Sequence, residues 1–389
     1  MKTQKIWIMF ALFVFIVSGH TVLFCNERPE PENSLRTLTL KGTPFERGVQ
    51  HGQALKKDIH DLVALWKSDL EKTYKTDADV FIQKFLKNTS FDKAIKKWTP
   101  GLWNELEGIA EGADINFDTL FAFQLVDEMW VLGRKIQAEH CTTIGVNKTK
   151  DFPAIVSQNL DIPPFYHGFQ TLLHIKDTEH DMETMVFTFP GFVAANGMNN
   201  RSVAVVVNAV TQLESSKDGL PVAFVIRGIL MQPTYEKAVR FIKTIKHGAP
   251  QNYMIGGPGE MGSYECAVNH VRRFIPFKDA SFAYHTNHPL ENFHFNSELL
   301  RYLAKKNIDP EKFEFQCIRF QALRELLKDN SVKIDIEFLQ NIFSNRDTHI
   351  NNQGSYGCTI FVLGENPELH ISPGRPDEKH FQIFRFRNH

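Results

Sequence analysis

One change of pattern constrains the fold of this chain more than any other feature. From residue 35 to about 135, apolar residues recur at the three- and four-residue spacing of amphipathic helices. After about residue 138 the pattern changes to short β-prone runs separated by turn residues. A helical block is therefore followed by a strand-rich body. This order predicts an α+β fold with layered helices and strands rather than regular βαβ alternation.

The first predicted helix has a clear start signal. Thr43 can cap the helix, Pro44 suits the first helical position, and Glu46 has the spacing of a capping-box acid. Gly48 and Gly52 lie about one helical turn apart, a spacing that lets another element pack closely. We therefore interpret Glu46 and these glycines as structural rather than catalytic residues.

The body is predicted to contain strands with a few helices between them. The β-prone segments are 142–146, 154–157, 171–175, 184–189, 203–207, 253–255, 282–285, 359–363, 369–371 and 381–386. Helical periodicity covers 222–246, 295–307 and 311–328, and the Asn- and Gly-containing segment 196–200 is predicted to be a turn.

Composition excludes several classes of protein. Hydrophobic residues make up 42% and charged residues 23% of the 389 residues, which is the usual globular mix and argues against a disordered or multi-span membrane chain. The formal net charge is -1. Such a chain has no basic field to hold a phosphate backbone, so we expect no nucleic-acid partner.

The first residues are typical of an export signal. Lys2 and Lys5 precede the apolar run 6–17, which suits a signal peptide and is too short for a comfortable membrane span. We predict a signal peptide over 1–25 and a linker over 26–38, and hence an exported protein in a secreted, periplasmic or lysosome-like location. Cys25 precedes a polar linker, as in a lipoprotein leader, so membrane attachment is expected only if Cys25 carries lipid.

Cysteine chemistry is the first candidate for function. The chain has five cysteines, an odd number that leaves at least one thiol without an intramolecular partner. Cys141 stands where the helical block gives way to the first strand. A buried structural cysteine is the simpler interpretation of such a position. Polar residues that end apolar strands, at Asp161, Asn208 and Asn287, favour a site instead, because sites are commonly assembled where elements end.

These residues belong to a set of short motifs in a characteristic order. The motifs are Gly42-x-x-x-Glu46-x-Gly48-x-x-His51-Gly52, Cys141-Thr142-Thr143, Asn159-x-Asp161, Asn196-Gly197-Met198-Asn199 and His285-Thr286-Asn287-His288. Their combination resembles the acyl-coenzyme A:6-aminopenicillanic acid acyltransferase family of self-processing cysteine enzymes. The resemblance extends from about Gly42 to Pro376.

The resemblance implies a fold and a processing event. The fold would be the four-layer αββα arrangement of N-terminal-nucleophile hydrolases. The precursor would cleave itself between His140 and Cys141, leaving 39–140 as a helical chain and 141–389 as the catalytic chain, bound together as a heterodimer. Cleavage would give Cys141 both a thiol and a free α-amine, so one residue would supply nucleophile and general base.

The resemblance also assigns roles by position. Asp161 would hold the new α-amine, and Asn287 would donate to the oxyanion of the tetrahedral intermediate. Asn208 would be a polar site group and Arg346 a supporting arginine. No cofactor is implied. We predict no metal either, because His285 and a histidine three residues later are a weak pair with no evident third ligand.

The predicted function is hydrolysis or transfer of the acyl group of a linear amide, a small-molecule N-acyl amino compound, through a thioester on Cys141. Two alternatives stay open at this point. One is an exported binding protein that keeps the fold without the chemistry. The other is a hydrolase of lipid amides, like ceramidase-like relatives of the family. The identity of the acyl group and of the amine is left open.

Overall fold

The computed structural model describes residues 35–133, 141–177, 181–352 and 354–386. The predicted signal peptide, Cys25, most of the linker and His140 lie outside these residues. In the described part of the chain, no helix is both long and apolar enough to cross a bilayer.

The helical block is present between residues 44 and 132. Its helices are α1 (Pro44–Ala54), α2 (Lys56–Tyr74), α3 (Ala78–Lys87), α4 (Phe91–Trp98), α5 (Pro100–Ala113), α6 (Phe117–Phe123) and α7 (Val126–Leu132). The predicted start of α1 is confirmed as a capping box. The Thr43 backbone N–H donates to Glu46 Oε2 at 2.8 Å, and the Glu46 N–H donates back to Thr43 Oγ1 at 3.4 Å.

Helices α1 and α5 are in contact along their backbones. A Cβ atom at Gly48 would overlap the carbonyl oxygen of Glu105, and one at Gly108 would overlap that of Phe45. Glycines on both helices therefore permit an approach that any side chain would prevent. This supports the structural interpretation of the glycine motif at the start of the chain.

The strands form two sheets. They are β1 (Arg36–Lys41), β2 (Thr142–Val146), β3 (Ala154–Asp161), β4 (Thr171–Asp177), β5 (Met182–Thr188), β6 (Asn196–Asn199), β7 (Ala204–Ala209), β8 (Gln251–Gly256), β9 (Met261–Cys266), β10 (Val271–Phe274), β11 (Phe282–His285), β12 (Ser355–Leu363), β13 (Glu368–Ser372) and β14 (Gln382–Arg385). The larger sheet has the order β1-β4-β5-β6-β7-β8-β9-β10, and the smaller has the order β11-β2-β3-β12-β13-β14. Pairing is antiparallel except between β1 and β4.

The two sheets pack face to face between outer helices. Strands β2 and β3 of the smaller sheet contact β7, β8 and β9 of the larger one. The helices that follow the block are α8 (Val222–Leu230), α9 (Tyr235–Thr244), α10 (Ser297–Lys305), α11 (Ile318–Leu326) and α12 (Ile336–Ser344). Helices α8 and α9 cover the larger sheet, α12 contacts the smaller sheet, and α11 packs against its apolar face through Leu323. The α+β class and the predicted four-layer αββα arrangement are confirmed.

Several local predictions are corrected. Residues 36–41, assigned to the linker and the helical block, form strand β1, whose alternating threonine and leucine residues suit the edge of a sheet. The helix predicted over 222–246 is two helices, because Pro233 lies between them and Thr234 caps the second. Only 318–326 of the predicted helix 311–328 is α-helical. Strands β9 and β10 and helix α12 were not predicted.

The predicted turn at residues 196–200 is also wrong, because Asn196–Asn199 is an interior strand of the larger sheet. Asparagine usually favours turns. Here Asn196 Nδ2 donates to Gln158 Oε1 at 2.9 Å and to Thr359 Oγ1 at 3.1 Å, both on the facing sheet. Partners distant in sequence therefore accept from the Asn196 Nδ2 group and hold this side chain in a buried strand, although its Oδ1 has no hydrogen-bond partner among the described residues.

Candidate active site

Cys141 lies at the start of β2, and its thiol is buried. Pairing of β2 places Thr142 opposite Asn159 on β3 and Thr143 opposite His285 on β11. The Cys141 Sγ atom lies 3.6 Å from the backbone carbonyl oxygen of Asp161. The ends of three neighbouring strands therefore meet around the thiol, as predicted from the polar residues that follow them.

Among the described residues, two side chains donate hydrogen bonds to the carbonyl oxygen of Cys141. Arg319 Nη1 donates to this oxygen at 2.7 Å, and Asn208 Nδ2 donates to it at 3.1 Å. Asn208 is oriented in turn, because its Oδ1 accepts from Thr143 Oγ1 at 2.7 Å and from Asn252 Nδ2 at 3.1 Å. The sequence prediction placed Asn208 in the site, and the structure gives it this position.

Asn287 is tied to the same arginine. Its Oδ1 accepts from Arg319 Nη2 at 3.0 Å, and its Nδ2 donates to the Ala209 carbonyl oxygen at 3.2 Å. The arginine fixes which end of the amide is oxygen, so the amide nitrogen has an assigned direction. An amide nitrogen carries two hydrogens, and the second is available for another acceptor.

Buried polar contacts support the loop that carries Asn287. His285 contacts the Thr286 carbonyl oxygen through Nδ1 at 2.7 Å and Glu265 Oε1 through Nε2 at 2.8 Å. The same carboxylate accepts the backbone N–H groups of residues 290–292. Because these groups are buried and hydrogen-bonded, we interpret His285 as a structural residue of this loop.

Asp161 is buried at the end of β3 and is held by neutral donors. Ser355 Oγ donates to its Oδ1 at 2.6 Å, and Asn352 Nδ2 donates to its Oδ2. Burial raises the pKa of Asp161 to about 7, although Ser355 and the charge of Arg319 act to lower it. A cation placed next to such a buried carboxyl group would stabilise its ionised form.

The structure does not place Arg346 at the site, where the sequence analysis had predicted it. Its guanidinium is 54% exposed and pairs with Asp377 and with Glu378, the latter at 3.0 Å. It contacts none of the groups around Cys141 in the described residues. In the described part of the chain, the arginine that contacts Cys141 is Arg319 on α11, which the sequence interpretation missed. Nothing in the local pattern separates it from the exposed Arg324 on the same helix, because only tertiary packing turns one of them inward.

A narrow cavity opens at Cys141 between the helical block and the two sheets. Residues from both parts of the chain line it, and most are apolar: Val126, Asp127, Trp130, Cys141, Leu160, Ile162, Tyr166, Phe189, Phe192, Ala194, Ala195, Val207, Ala209, Val222, Ile226 and Gln251. The lining, apolar with a few polar groups, is of the kind found in small-molecule sites, but at about 60 Å³ the cavity would hold only part of a ligand.

Three further cysteines lie in the described part of the chain. Cys266, Cys317 and Cys358 are thiols rather than disulfide partners in this part of the chain. Burial raises the pKa of Cys266 and of Cys358 well above the usual range, which keeps both in the unreactive protonated form. Among the described residues, no three His, Cys, Asp or Glu side chains converge on a point where a metal ion could be held.

Solved structures with a similar arrangement include an N-acylethanolamine-hydrolysing acid amidase from Caenorhabditis elegans. It is 17% identical, with 64% of this chain and 100% of that chain covered and a TM-score of 0.41. A penicillin V acylase from Agrobacterium tumefaciens is 13% identical, covering 63% of this chain and 85% of that one, with a TM-score of 0.38.

Sequence comparison identifies relatives more directly. The chain is 26% identical over 268 residues to the 40 kDa form of acyl-coenzyme A:6-aminopenicillanic-acid-acyltransferase from Emericella nidulans, which covers 66% of this chain and 70% of the relative. The family model for acyl-coenzyme A:6-aminopenicillanic acid acyl-transferase matches residues 147–368, more than half of the chain. The matched region includes Asp161, Asn208, Asn287 and Arg319 and begins shortly after Cys141. The chain therefore belongs to the acyl-coenzyme A:6-aminopenicillanic acid acyl-transferase family.

Proposed function

We propose that this protein is a self-processing cysteine enzyme that hydrolyses or transfers the acyl group of a linear amide through a thioester on Cys141. One observation carries the proposal: Arg319 connects the Cys141 carbonyl group to the Asn287 amide, while Asp161 lies at the end of the adjacent strand. Membership of the acyl-transferase family supports the coarser statement that the reaction involves an acyl group and an amide.

Activation of the thiol would begin with cleavage of the His140–Cys141 bond. The new α-amine has an ordinary pKa near 8, so it can take the thiol proton near neutral pH. A buried carboxyl group at Asp161, with a pKa raised to about 7 by burial, would gain an ammonium partner in this step. The Asp161 carboxylate would then hold the amine beside the thiol.

Acyl transfer would proceed by ordinary addition and elimination. The Cys141 thiolate attacks the amide carbonyl carbon, and the carbonyl oxygen takes the negative charge. The second N–H of Asn287 Nδ2 donates to this oxyanion, while Arg319 keeps the amide side chain in position. The carbon–nitrogen bond then breaks, and the leaving amine takes the proton held by the α-amine. Water or another amine cleaves the thioester and regenerates the thiol.

Processing is tested by comparing wild-type protein with a Cys141→Ala variant. The wild type should give two fragments on a denaturing gel, and the larger should begin at Cys141. The variant should stay a single chain. Cys266→Ala is the matched control, because it removes a buried thiol from the other sheet and should leave processing intact. A larger fragment with any other N-terminus would contradict the processing mechanism.

The chemistry is tested on processed protein. A panel of N-acyl amides is added, and acyl adducts on Cys141 are identified by mass spectrometry. Appearance of an adduct that decays with product release supports the thioester. If the expressed chain is found uncleaved in the processing experiment and no member of a chemically broad panel acylates its Cys141, the alternative of a binding protein on the same fold is favoured.

Two earlier expectations are carried forward as proposals. The helical fragment 39–140 would remain bound after cleavage, since the block and the body share one apolar core. Export by a signal peptide over 1–25 stays a prediction, because these residues lie outside the described chain. Mass spectrometry of secreted and cell-associated protein from the native host would locate the mature N-terminus.

A further inference from the structure

The cavity at Cys141 contains an acidic position that the proposed chemistry does not use. Helix α7 of the helical block contributes Val126, Asp127 and Trp130 to its lining. On the other side, Gln251 at the start of β8 faces Asp127. These two polar side chains stand out in a lining that is otherwise mostly apolar or aromatic.

The contact between them fixes the direction of both groups. Gln251 Nε2 donates to Asp127 Oδ1 at 2.9 Å. Because a carboxylate accepts this hydrogen bond, the amide nitrogen is assigned to that position and the amide oxygen to the other. Gln251 is only 1% exposed, and its Oε1 atom is buried without a hydrogen-bond partner among the described residues. A buried acceptor in this state is costly unless a ligand donates to it.

No cationic side chain of the described residues forms an ion pair at this position. Among the ion pairs of the described residues none includes Asp127 or its neighbour Glu128. Burial raises the pKa of Asp127 to about 6, with the Gln251 contact acting in the other direction. Burial, together with the charge of Asp127, raises the pKa of Glu128 to about 8. Glu128 accepts the backbone N–H of Val222 at 3.0 Å, while its Oε2 is buried with no partner in the described chain.

We propose that Asp127 and Gln251 form a subsite for a protonated amino group on the substrate, whose remaining part occupies the apolar cavity. The inference rests on the proposed function, because it takes the cavity at Cys141 as the substrate site. An ammonium group carries up to three hydrogens, enough to donate to Asp127 and to Gln251 Oε1 together. It also supplies a positive charge that no ion pair of the described residues provides there, and a hydroxyl group does not.

The test uses matched pairs of N-acyl amides that differ only in one terminal group, ammonium or methyl. One series carries this group on the acyl half and the other on the leaving amine. In at least one series, kcat/KM for the amino substrate should exceed that for its methyl counterpart roughly thirtyfold or more. The difference should appear in KM rather than in kcat. The mass of the adduct on Cys141 shows whether the amino group belongs to the acyl half.

Variants then assign the preference to the subsite. Asp127→Asn should bring the kcat/KM ratio of amino to methyl substrate close to one. Asp118→Asn, at an exposed position in the first turn of α6, is the control and should keep the wild-type ratio. Gln251→Leu should reduce the ratio less than Asp127→Asn, since it removes no charge.

The outcomes separate the subsite from the chemistry. Equal rates for amino and methyl substrates in the wild type would overturn the subsite while leaving the acyl chemistry intact. An Asp127→Asn variant that slows both substrates equally, with the ratio preserved, would show a purely structural aspartate and also overturn it. Absence of any adduct on Cys141 across both series would instead count against the proposed function.

Discussion

Two buried carboxyl groups in this molecule have opposite surroundings. Glu105 on α5 accepts hydrogen bonds from the two terminal nitrogens of Arg227, Nη1 at 2.8 Å and Nη2 at 3.0 Å, and lies 3.5 Å from Arg47 Nε. Burial acts to raise the pKa of Glu105, but the two arginines outweigh it and the pKa is lowered. Asp161 is held mainly by neutral donors, and burial raises its pKa to about 7.

This difference distinguishes Glu105, a structural carboxylate with arginine partners, from Asp161, which forms no ion pair among the described residues. The Glu105–Arg227 pair joins α5 of the helical block to α8 of the body and is complete within the chain. Asp161 lies beside the residue that would acquire a positive charge on cleavage. A buried carboxylate that has an arginine partner within the fold indicates a structural role. A buried carboxylate without one indicates that a reaction step or a ligand supplies the positive charge.

The largest effect is expected from breaking the complete pair. Glu105→Gln leaves Arg227 and Arg47 buried without a counter-charge, so the free energy of unfolding should fall by roughly 3–5 kcal/mol. Urea unfolding in a Cys141→Ala background keeps the chain in one piece for the measurement. Asp218→Asn, which removes an exposed partner of Lys246, should cost no more than about 1 kcal/mol. Equal costs for the two variants would contradict the structural interpretation of Glu105.

The next effect distinguishes the two arginines in processed enzyme. Arg319→Ala releases both the Cys141 carbonyl group and the Asn287 amide, so kcat should fall roughly a hundredfold or more, as for loss of an oxyanion donor. Arg346→Ala removes an exposed ion pair and should change kcat less than about twofold. Steady-state kinetics measure both effects. A large loss of kcat in Arg346→Ala would support the original prediction that Arg346 belongs to the site.

The third prediction concerns how stability depends on pH, which should have opposite signs for Asp161 and Glu105. In the uncleaved chain, Asp161 contributes stability below its usual pKa of 3.8, and this is lost as the pH rises towards about 7. Glu105 contributes stability above its usual pKa of 4.5, which is lost as the pH falls. Each contribution should change by roughly 1.4 kcal/mol per pH unit within its range.

The measurement compares Asp161→Asn and Glu105→Gln with their parent by urea unfolding at several pH values, again in the Cys141→Ala background. As the pH rises from about 4 to about 7, the free energy of unfolding of Asp161→Asn should increase relative to that of its parent. The relative stability of Glu105→Gln should improve as the pH falls below about 4.5. Parallel slopes would remove the distinction between the two groups.

The smallest effect concerns an exposed contact in the helical block. Thr43→Ala removes the side chain that accepts the Glu46 N–H at the start of α1, and should cost about 1 kcal/mol. Thr43→Ser, which keeps the hydroxyl group, is the matched control and should cost less. A loss as large as that of Glu105→Gln would mean that the helix start, rather than the buried pair, limits the stability of the block.

Local chemistry made much of the chain predictable. The capping box at Thr43, the glycine spacing in α1 and the strand at 142–146 rest on residues near one another in sequence, and each is present. Failures occurred where distant partners override local preference. Asn196 of β6 is held by the facing sheet and Asn199 by carbonyl groups at and just after the end of α8. Strand β1 exists because it pairs with a strand more than a hundred residues away.

The candidate site divides in the same way. Cys141, Asp161, Asn208 and Asn287 were predicted from polar residues at strand ends and from motif order, and the structure brings them close to one another. Arg319 could not be distinguished from other helical arginines, because its role depends on which face of α11 packs inward. Asp127 was overlooked for the same reason, since only the packing of α7 against β8 places it in the cavity.

The sequence by itself determined the order of a helical block and a strand-rich body, the position of the cysteine between them, and the family. These follow from periodicity and short motifs, which depend on neighbouring residues. Tertiary structure decided which charges are compensated: Glu105 has its arginines, while the buried Asp161 and the half-buried Asp127 form no ion pair in the described chain. Burial and long-range proximity set the free energy of a charge, and neither is encoded in local sequence.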